Sequence, residues 1–324
     1  MRILFLLLFL FISVEAKDYT KKPEVQRFIT SLVHQYKMDR KYLLKLFSNV
    51  KKYHMPIRKY KSNKSKTTRK RRTKYGTWDR YSKLKTNSSR VHQGVQFIKK
   101  HQKIFNDVEK KYGVPKEYIA AIIGVETVYG GNVGKYPVFD NLVILAFENN
   151  RRNKFFKNQL KKFLHLSKTQ KFNPKNVKGS YAGAIGLVQF IPSNYEAYGV
   201  DYDKDGRITL QRAGDAIASV ANYFKKNGWR RGEPVATRVK YEGNRFNRLK
   251  TGYKTTYNRA NIRGVSPYNE WDYKGKVRLL KLNKRDYDEL WYGAKNFFVI
   301  TRYNHSAYYA MSVHQLAQKI KARL

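Results

Sequence analysis

Apolar positions in the first third of the chain recur at helical spacing. Residues 19–50 carry Val, Ile, Leu, Phe and Tyr at intervals of three and four, which predicts one or two amphipathic helices. The same period returns over residues 91–112 and ends at Gly113. Pro115 then opens another helical stretch, at a position where its missing N–H costs nothing. The pattern therefore predicts a helical beginning for the chain.

The remainder is helical with one interruption. Residues 142–166 predict a further helix, and residues 213–229 predict a helix that Gly228 caps. Between residues 231 and 280, Val, Tyr, Gly, Asn and Thr alternate with turn signals, which favours short strands of a small β unit. Residues 296–320 are predicted to be partly extended and then helical. The fold class predicted from these patterns is mainly α, with a small β component.

The first sixteen residues, MRILFLLLFLFISVEA, follow the pattern of a secretory signal peptide. Arg2 supplies a basic start, residues 3–14 are apolar, and Ala16 is a small residue at the expected cleavage site. The mature chain is expected to begin near Lys17. This apolar run is too short to span a bilayer comfortably, and no later run approaches the roughly 20 apolar residues that a membrane helix needs. We therefore expect an exported, soluble protein without a transmembrane anchor.

Composition limits the chemistry of the chain. Its 324 residues carry a net charge of +45 and no cysteine. Disulfides, zinc–thiolate sites, thiol catalysis and a lipid-attachment cysteine are excluded. The charge favours an anionic partner, such as nucleic acid, an anionic membrane surface or an acidic glycan, although solubility in a basic proteome explains it equally well. Export argues against chromosomal DNA as a partner.

The charge is concentrated in residues 58–74, RKYKSNKSKTTRKRRTK, which contain ten Lys or Arg and no acidic residue. A segment with almost no apolar residue is expected to be a solvated loop. We expect it to add salt-dependent attachment to anionic polymer.

One glutamate stands within an otherwise apolar helix. The stretch IAAIIGVETVYGG, residues 119–131, contains Glu126, with Ile122 and Ile123 one turn before it and Gly130 one turn after. Desolvation and the negative end of the helix dipole both disfavour its charged form, so its pKa is expected to be raised. A carboxylic acid that is protonated near neutral pH can act as a general acid. The alternative is a glutamate whose carboxylate reaches solvent or pairs with a nearby Lys or Arg.

A second acidic motif has the spacing of a calcium loop. DYDKDGRITLQRAGD, residues 201–215, places three aspartates at alternate positions before a turn glycine, namely Asp201, Asp203, Asp205 and Gly206. The standard twelve-residue loop ends in a bidentate Glu, and that position is Arg212 here. A metal site is favoured over a simple acidic turn.

Four long motifs resemble the lytic murein transglycosylase B group of bacterial cell-wall enzymes. They are YGVPKEYIAAIIGVETVYGGNVGKYPVFDNLVILAF, GSYAGAIGLVQFIPSNYEAYGVDYDKDGRITL, DAIASVANYFKKNGW and NFFVITRYNHSAYYAMSV. They occur in the order of the family and cover most of residues 90–324, whereas the upstream region is less similar.

The resemblance implies a mainly α (α+β) fold with a lysozyme-like helical core, an additional helical domain and a small antiparallel β domain. The domain limits that follow are a signal peptide (1–16), an N-terminal helical domain with the basic loop 58–74 (17–111), the catalytic core with the calcium loop 201–215 (112–230), the β domain (231–282) and a C-terminal segment that returns to the core (283–324).

The resemblance also assigns the site. Glu126 would be the sole catalytic acid and base. Substrate would be bound by Ser180 and Gln189 along the glycan cleft and by Tyr303, Asn304 and Tyr309 at the cleavage point. From spacing alone, Ser180 is a turn residue, Gln189 a core amide, and the two tyrosines are core aromatics. The family closes its longer calcium loop with an aspartate, here Asp215, so the implied Ca²⁺ ligands are Asp201, Asp203, Asp205, the backbone carbonyl of Arg207, and Asp215.

The implied reaction cleaves the β-1,4 bond from N-acetylmuramic acid to N-acetylglucosamine without water and leaves a 1,6-anhydro ring. Peptidoglycan glycan strands are the implied partner, with cell-wall synthesis machinery as a further one, for a monomer in a Gram-negative periplasm. Neither nucleic acid nor an organic cofactor is expected. One rival is a lysozyme-type hydrolase that uses Asp140 or Glu148 as its second carboxylate. The other is a basic binding protein without catalysis.

Overall fold

The computed structural model describes three stretches of the chain: 16–51, 76–243 and 245–324. The basic segment 58–74 and the predicted signal peptide, apart from Ala16, lie outside the described residues. The chain forms two compact units. Described residues 16–51, 134–184 and 191–193 belong to the first unit, and the others belong to the second.

The helices in chain order are α1 (Pro23–Tyr36), α2 (Arg40–Ser48), α3 (Thr77–Lys85), α4 (Ser88–Lys100), α5 (Gln102–Tyr112), α6 (Lys116–Thr127), α7 (Val138–Phe147), α8 (Asn153–Thr169), α9 (Pro192–Tyr198), α10 (Ala213–Lys226), α11 (Lys295–Tyr303) and α12 (Ala307–Lys321). The strands are β1 (Ala16–Lys17), β2 (Val50–Lys51), β3 (Tyr136–Pro137), β4 (Lys178–Gly179), β5 (Ala236–Tyr241), β6 (Val265–Pro267), β7 (Arg278–Asn283) and β8 (Asp288–Gly293). Short 3-10 turns occur at Pro174–Asn176, Arg245–Arg248 and Arg259–Asn261.

The first unit is built around α7, every residue of which is buried. Because eight of its ten residues are apolar, this helix needs cover on most sides, and α8 provides its most extensive contact. Edge-to-face contacts of Phe47 with Phe139 and Phe147 join α2 to the same core. The small antiparallel pairs β1–β2 and β3–β4 complete the unit.

The prediction of one continuous helix over residues 142–166 was wrong, because the structure breaks it between α7 and α8. The amide of Asn150 donates to the carbonyl of Leu145 at 2.7 Å, and the amide of Asn153 donates to the same carbonyl at 2.9 Å. Asn153 also bonds the carbonyl of Glu148 at 2.6 Å. These side chains satisfy carbonyls that a continued helix would have bonded, so α7 can end there.

In the second unit, α6 lies among other helices of the same unit. It packs mainly against α12, and also against α4, α10 and α5. Ten of its twelve residues are buried, as expected for an apolar helix at the centre of a bundle. The described residues contain no helix that is both long and apolar enough to cross a membrane.

The second unit also contains an antiparallel sheet with the strand order β6-β5-β8-β7. Its core includes Val239, Leu279, Leu290 and Tyr292. The β7–β8 hairpin crosses the predicted domain limit at residue 282 and extends the β unit to Gly293. The turn of this hairpin is polar and charged, like the loop before it. Periodicity therefore did not reveal β8 as a part of the β unit.

Tight packing fixes the last turn of α6. A Cβ atom on Gly124 would lie 2.4 Å from the hydroxyl and 2.6 Å from Cζ of Tyr129, and one on Gly94 of α4 would lie 2.4 Å from the same hydroxyl. The ring of Tyr129 therefore fills space that the two glycines leave open. Any side chain at Gly124 must displace this ring.

Gly124→Ala is expected to lower the free energy of unfolding by about 1–3 kcal/mol through overpacking. Helix propensity alone would predict a gain of about 1 kcal/mol. Denaturant unfolding should show that most of this cost disappears when the substitution is made in a Tyr129→Ala background. Equal costs in the two backgrounds would contradict the packing argument.

Candidate active site

Glu126 lies in the last turn of α6, where the helix ends abruptly. Val128 and Tyr129 both adopt the left-handed conformation, with φ of 55° and 56°, and Gly130 follows at 102°. This backbone is rare for a β-branched residue such as Val128. The helix ends at Thr127. The early end leaves Glu126 partly accessible while its neighbours in the helix are buried.

The carboxyl of Glu126 has a direct partner on the C-terminal helix. The hydroxyl of Tyr309 donates a hydrogen bond to Glu126 Oε1 at 2.6 Å. Tyr309 itself is held at the start of α12, where its amide donates to the side chain of Ser306 at 3.2 Å. The structure thus brings together two predicted site residues that are 183 positions apart in sequence.

Burial dominates the electrostatics of this pair. Desolvation raises the pKa of Glu126, and the hydrogen bond from Tyr309 and the charge of Lys85 oppose this effect without cancelling it. Desolvation also raises the pKa of Tyr309 well above its ordinary value, so its hydroxyl keeps its proton and remains a donor. A protonated carboxyl that can still ionise is what a general acid requires.

Sequence reasoning missed two cations beside this helix end. Lys85 Nζ donates to the carbonyl of Val125 at 3.0 Å, and the guanidinium of Arg90 donates to the carbonyl of Gly124. They come from α3 and α4 and meet the last turn of α6, where the dipole is negative and the carbonyl of Gly124 also accepts from the amide of Val128 at 3.1 Å. They occur in a segment, SKLKTNSSR, with no motif to mark them. Only the packing of three helices reveals them.

Tyr303 and Asn304 lie at the end of α11. The ring of Tyr303 is nearly parallel to that of Tyr309, at 13° and 6.3 Å between centroids, and its hydroxyl donates to the carbonyl of Val188 at 2.6 Å. Asn304 is exposed. The structure therefore brings Tyr303 next to the Glu126–Tyr309 pair.

Gln189 belongs to residues 185–190, a short turn closed by a bridge between Ile185 and Phe190. Its side-chain amide donates to the carbonyls of Val133 and Gly186, both at 3.0 Å. The hydroxyl of Thr127 bonds the carbonyl of Leu187 at 2.8 Å and ties this turn to the end of α6.

Ser180 belongs to the first unit, whereas the other predicted site residues belong to the second. Its hydroxyl accepts hydrogen bonds from the amides of Ala182 at 3.3 Å and Ala184 at 3.0 Å. Within its unit it is a turn-forming serine.

The acidic loop gathers three of its predicted ligands. Asp201, Asp203 and Asp215 offer carboxylate oxygens within 4.8 Å of one another. One oxygen of Asp201 is buried and has no hydrogen-bond partner among the described residues. Desolvation and the charges of the two neighbouring aspartates raise the pKa of Asp215, against hydrogen bonds from the amides of Tyr202 and Thr209. An unpartnered buried oxygen among hard anionic ligands fits a calcium ion.

Asp205, another predicted ligand, is not in this cluster. Asp205 pairs with Arg212 at 2.6 Å and accepts from the amide of Arg207 at 2.8 Å. Arg212 occupies the position where a standard loop has its glutamate, and it neutralises Asp205 instead. The roles of Asp205 and of the Arg207 carbonyl as ligands stay predictions.

The chain is similar to known proteins over most of its length. Residues 20–318 match the family described as Transglycosylase SLT domain. The chain is 38% identical over 307 residues to membrane-bound lytic murein transglycosylase B of Escherichia coli strain K12. This match covers 94% of this chain and 84% of that protein.

Solved structures agree with this similarity. Lytic transglycosylase SLT35 of Escherichia coli, in complex with calcium, is 36% identical and superimposes over 95% of both chains with a TM-score of 0.86. SltB3 of Pseudomonas aeruginosa, in complex with NAG-anhNAM-pentapeptide, is 26% identical over 92% of this chain and 79% of that chain, with a TM-score of 0.77.

The predicted fold class, mainly helical with a lysozyme-like core and a small antiparallel sheet, is confirmed by these likenesses. The resemblance drawn from the four sequence motifs is confirmed as well. This chain belongs to the transglycosylase SLT-domain family, among the lytic murein transglycosylases.

Proposed function

We propose that this chain is a peptidoglycan lytic transglycosylase that cleaves the β-1,4 bond from N-acetylmuramic acid to N-acetylglucosamine without water. The observation that carries the proposal is the partly accessible carboxyl of Glu126, whose pKa is raised by desolvation and which accepts a hydrogen bond from the uncharged Tyr309. Such a group can give a proton and later recover it.

In the first step, protonated Glu126 donates its proton to the glycosidic oxygen as positive charge develops on the muramic acid ring. The carboxylate that forms is stabilised by the hydrogen bond from Tyr309 and by the charge of Lys85, because both lower the pKa of Glu126. Lys85 and Arg90 also bond the last carbonyls of α6, so they offset the negative helix end that would oppose this carboxylate.

In the second step, the carboxylate takes the proton from the 6-hydroxyl of the same muramic acid. That oxygen attacks the anomeric carbon and closes the 1,6-anhydro ring, and Glu126 returns to its protonated form. The nucleophile is tethered to the reacting sugar, so its effective concentration is high and it outcompetes water.

The carboxylates that a hydrolase would recruit already have partners within the first unit. Asp140 pairs with Lys175 at 2.7 Å. Glu148 accepts from Tyr19 at 2.8 Å and pairs with Lys17 and Lys22 at 3.0 and 3.5 Å. These ion pairs give both carboxylates a structural role within the first unit, and Asp140 is buried, which favours the transglycosylase over the hydrolase.

The predicted substrate-binding residues take their roles in the same proposal. Exposed Asn304 is available to sugar hydroxyl and amide groups, and Tyr303, beside Tyr309, offers a ring to the cleavage point. Gln189 fixes the turn 185–190 at the end of α6 and lines the glycan cleft with its remaining polar atom. Ser180 is assigned to the cleft by its motif.

The domain limits of the sequence analysis are part of the proposal, with the β domain extended to Gly293. The enzyme is proposed to act in a Gram-negative periplasm on glycan strands after removal of residues 1–16, as a monomer, with cell-wall synthesis machinery as a further partner. The basic segment 58–74 is proposed to hold the enzyme near anionic polymer.

A calcium ion is proposed to bind Asp201, Asp203 and Asp215, with Asp205 and the Arg207 carbonyl as further ligands. When bound, the ion would supply positive charge that offsets carboxylate repulsion and ties the loop together. Asp215 anchors the arrangement, because it is buried at the start of α10 and accepts from the amides of Tyr202 and Thr209.

The products of purified murein are expected to end in 1,6-anhydro-N-acetylmuramic acid. Mass spectrometry of digests in H₂¹⁸O should find ends lighter than hydrolytic ends by one water and free of ¹⁸O. Incorporation of ¹⁸O in the primary cut would make the enzyme a hydrolase.

Glu126→Gln keeps the shape of the side chain but cannot donate and recover a proton, so the kcat of this variant should fall by at least about a hundredfold.

Replacement of Lys85 with Met should move the alkaline limb of the kcat–pH profile to higher pH and lower kcat at its plateau by about tenfold. The lost cation favoured ionised Glu126, so without it the pKa of Glu126 rises further and the acid becomes weaker. Lys85→Arg keeps the charge, and Lys83→Met removes an exposed lysine of the same helix; both should retain the original profile. A fall in kcat without a shift of the limb would assign Lys85 to structure alone.

Removal of calcium by chelation is expected to lower the melting temperature, and millimolar calcium should restore it, because an ion that binds only the folded state stabilises it. Asp201→Asn should abolish the calcium-dependent shift. Asp272→Asn, a change at an exposed aspartate of the β unit, should leave it intact. Equal shifts in the two variants would exclude the metal from this loop.

A further inference from the structure

A pocket of about 310 Å³ opens on the four-stranded sheet of the second unit. We call it the sheet pocket and define it by Arg238, Tyr241, Tyr268, Tyr287, Asp288 and Glu289. Neither Glu126 nor any side chain that contacts Glu126 lines this pocket. Its volume is at the lower end for small-ligand sites, about one or two sugar rings.

The sheet pocket is organised around Arg238. The guanidinium lies over the ring of Tyr268 at 4.9 Å, its Nη2 is 3.5 Å from the hydroxyl of Tyr287, and its Nε is 3.4 Å from Glu289. Glu289 in turn accepts from the indole N–H of Trp291 at 2.8 Å. The planar cation thus joins two tyrosines and a carboxylate in one cluster.

Strand pairing holds this cluster in place. Arg238 lies in β5, and its carbonyl accepts from the amide of Tyr268 at 3.1 Å. Tyr287 closes the β7–β8 turn, where its carbonyl accepts from the amide of Lys284 at 3.0 Å. The hydroxyl of Tyr241 bonds the carbonyl of Asp288 at 3.1 Å. The site is therefore built on a sheet and preorganised before a ligand arrives.

The two outer tyrosines are unusually accessible for such large side chains, with 54% of Tyr268 and 48% of Tyr287 exposed. Arg238 is 43% exposed beside them. Exposed aromatic rings next to planar hydrogen-bonding groups suit a ligand with an apolar face and a polar edge. A pyranose ring has this character, because its axial C–H groups form a face and its hydroxyls form the edge.

The charge of the sheet pocket supports an uncharged ligand. Each of the two carboxylates that line the pocket has a cationic partner: Glu289 pairs with Arg238 at 3.4 Å, and Asp288 pairs with Lys281 at 3.1 Å. This balance contrasts with the net charge of +45 for the chain. A site for an anion would have kept its cations unpaired.

We infer that the sheet pocket binds a sugar residue of a glycan strand, as a second binding site apart from Glu126. The choice of peptidoglycan as the source of the strand rests on the proposed function. The hydroxyls of the sugar would bond Arg238 and Glu289, and its C–H face would stack on Tyr268 or Tyr287. A second hold on the same strand raises the effective concentration of substrate at the catalytic acid.

The test uses the full chain with Glu126→Gln, so that glycan is not consumed, and N-acetylglucosamine tetramer as the probe. Calorimetry is expected to resolve a binding event that Tyr268→Ala with Tyr287→Ala weakens at least about tenfold. Tyr268→Phe with Tyr287→Phe keeps the rings and should retain binding. Tyr42→Ala, which removes an exposed tyrosine of the first unit, should also leave it unchanged.

Unchanged binding in the double Ala variant, with folding confirmed by its melting curve, would overturn the inference. So would competition at the pocket by a sugar-free stem pentapeptide, since that would make it a peptide site. The product analysis is independent of this result. If the double Ala variant loses tetramer binding but the wild type gives no anhydro products, the sugar site stands and the lytic transglycosylase is rejected. If the wild type gives anhydro products but the double Ala variant binds normally, the lytic transglycosylase stands and the sugar site is rejected.

Discussion

The architecture around the site depends on one constraint, which is that a carboxyl must remain desolvated at the negative end of a helix and still ionise during each turnover. Burial favours the neutral form, and the hydrogen bond from Tyr309 and the charge of Lys85 favour the ionised form. Each influence comes from a different helix of the second unit. The packing of α3, α4 and α12 on α6 therefore sets the acidity of Glu126 as well as the stability of the fold.

The end of α6 shows how backbone conformation serves this constraint. Val128 and Tyr129 leave the helix through left-handed conformations that side chains rarely adopt. The ring of Tyr129 then turns back against Gly124, where a larger residue has no room. This exit leaves the acid partly accessible while residues 117–125 of the helix stay buried.

Many of the helices and the catalytic acid could be predicted from the sequence, because both depend on local patterns. Helical spacing indicated α1, α6 and α10, and the anomalous polarity of Glu126 marked the acid. The break between α7 and α8 could not be predicted, because Asn150 and Asn153 reach back to carbonyls through side-chain bonds that periodicity does not record. Lys85 and Arg90 were missed because the chain has 68 Lys and Arg, and only tertiary contacts distinguish these two. The pairing of Asp205 with Arg212 was hidden for the same reason, since the motif gives spacing but not side-chain direction.

The bond between Glu126 and Tyr309 spans 183 positions, so it is a late event in the making of the protein. A chain that emerges from its N-terminus presents the acid long before α12 exists to cover it. Contacts of such high sequence separation form only after the intervening chain has collapsed. Until then the carboxyl is hydrated and has an ordinary acidity, so a chain that is still being synthesised carries an acid that is not yet set for cutting. Long-range topology thereby delays the lytic activity until the whole chain has been synthesised and folded.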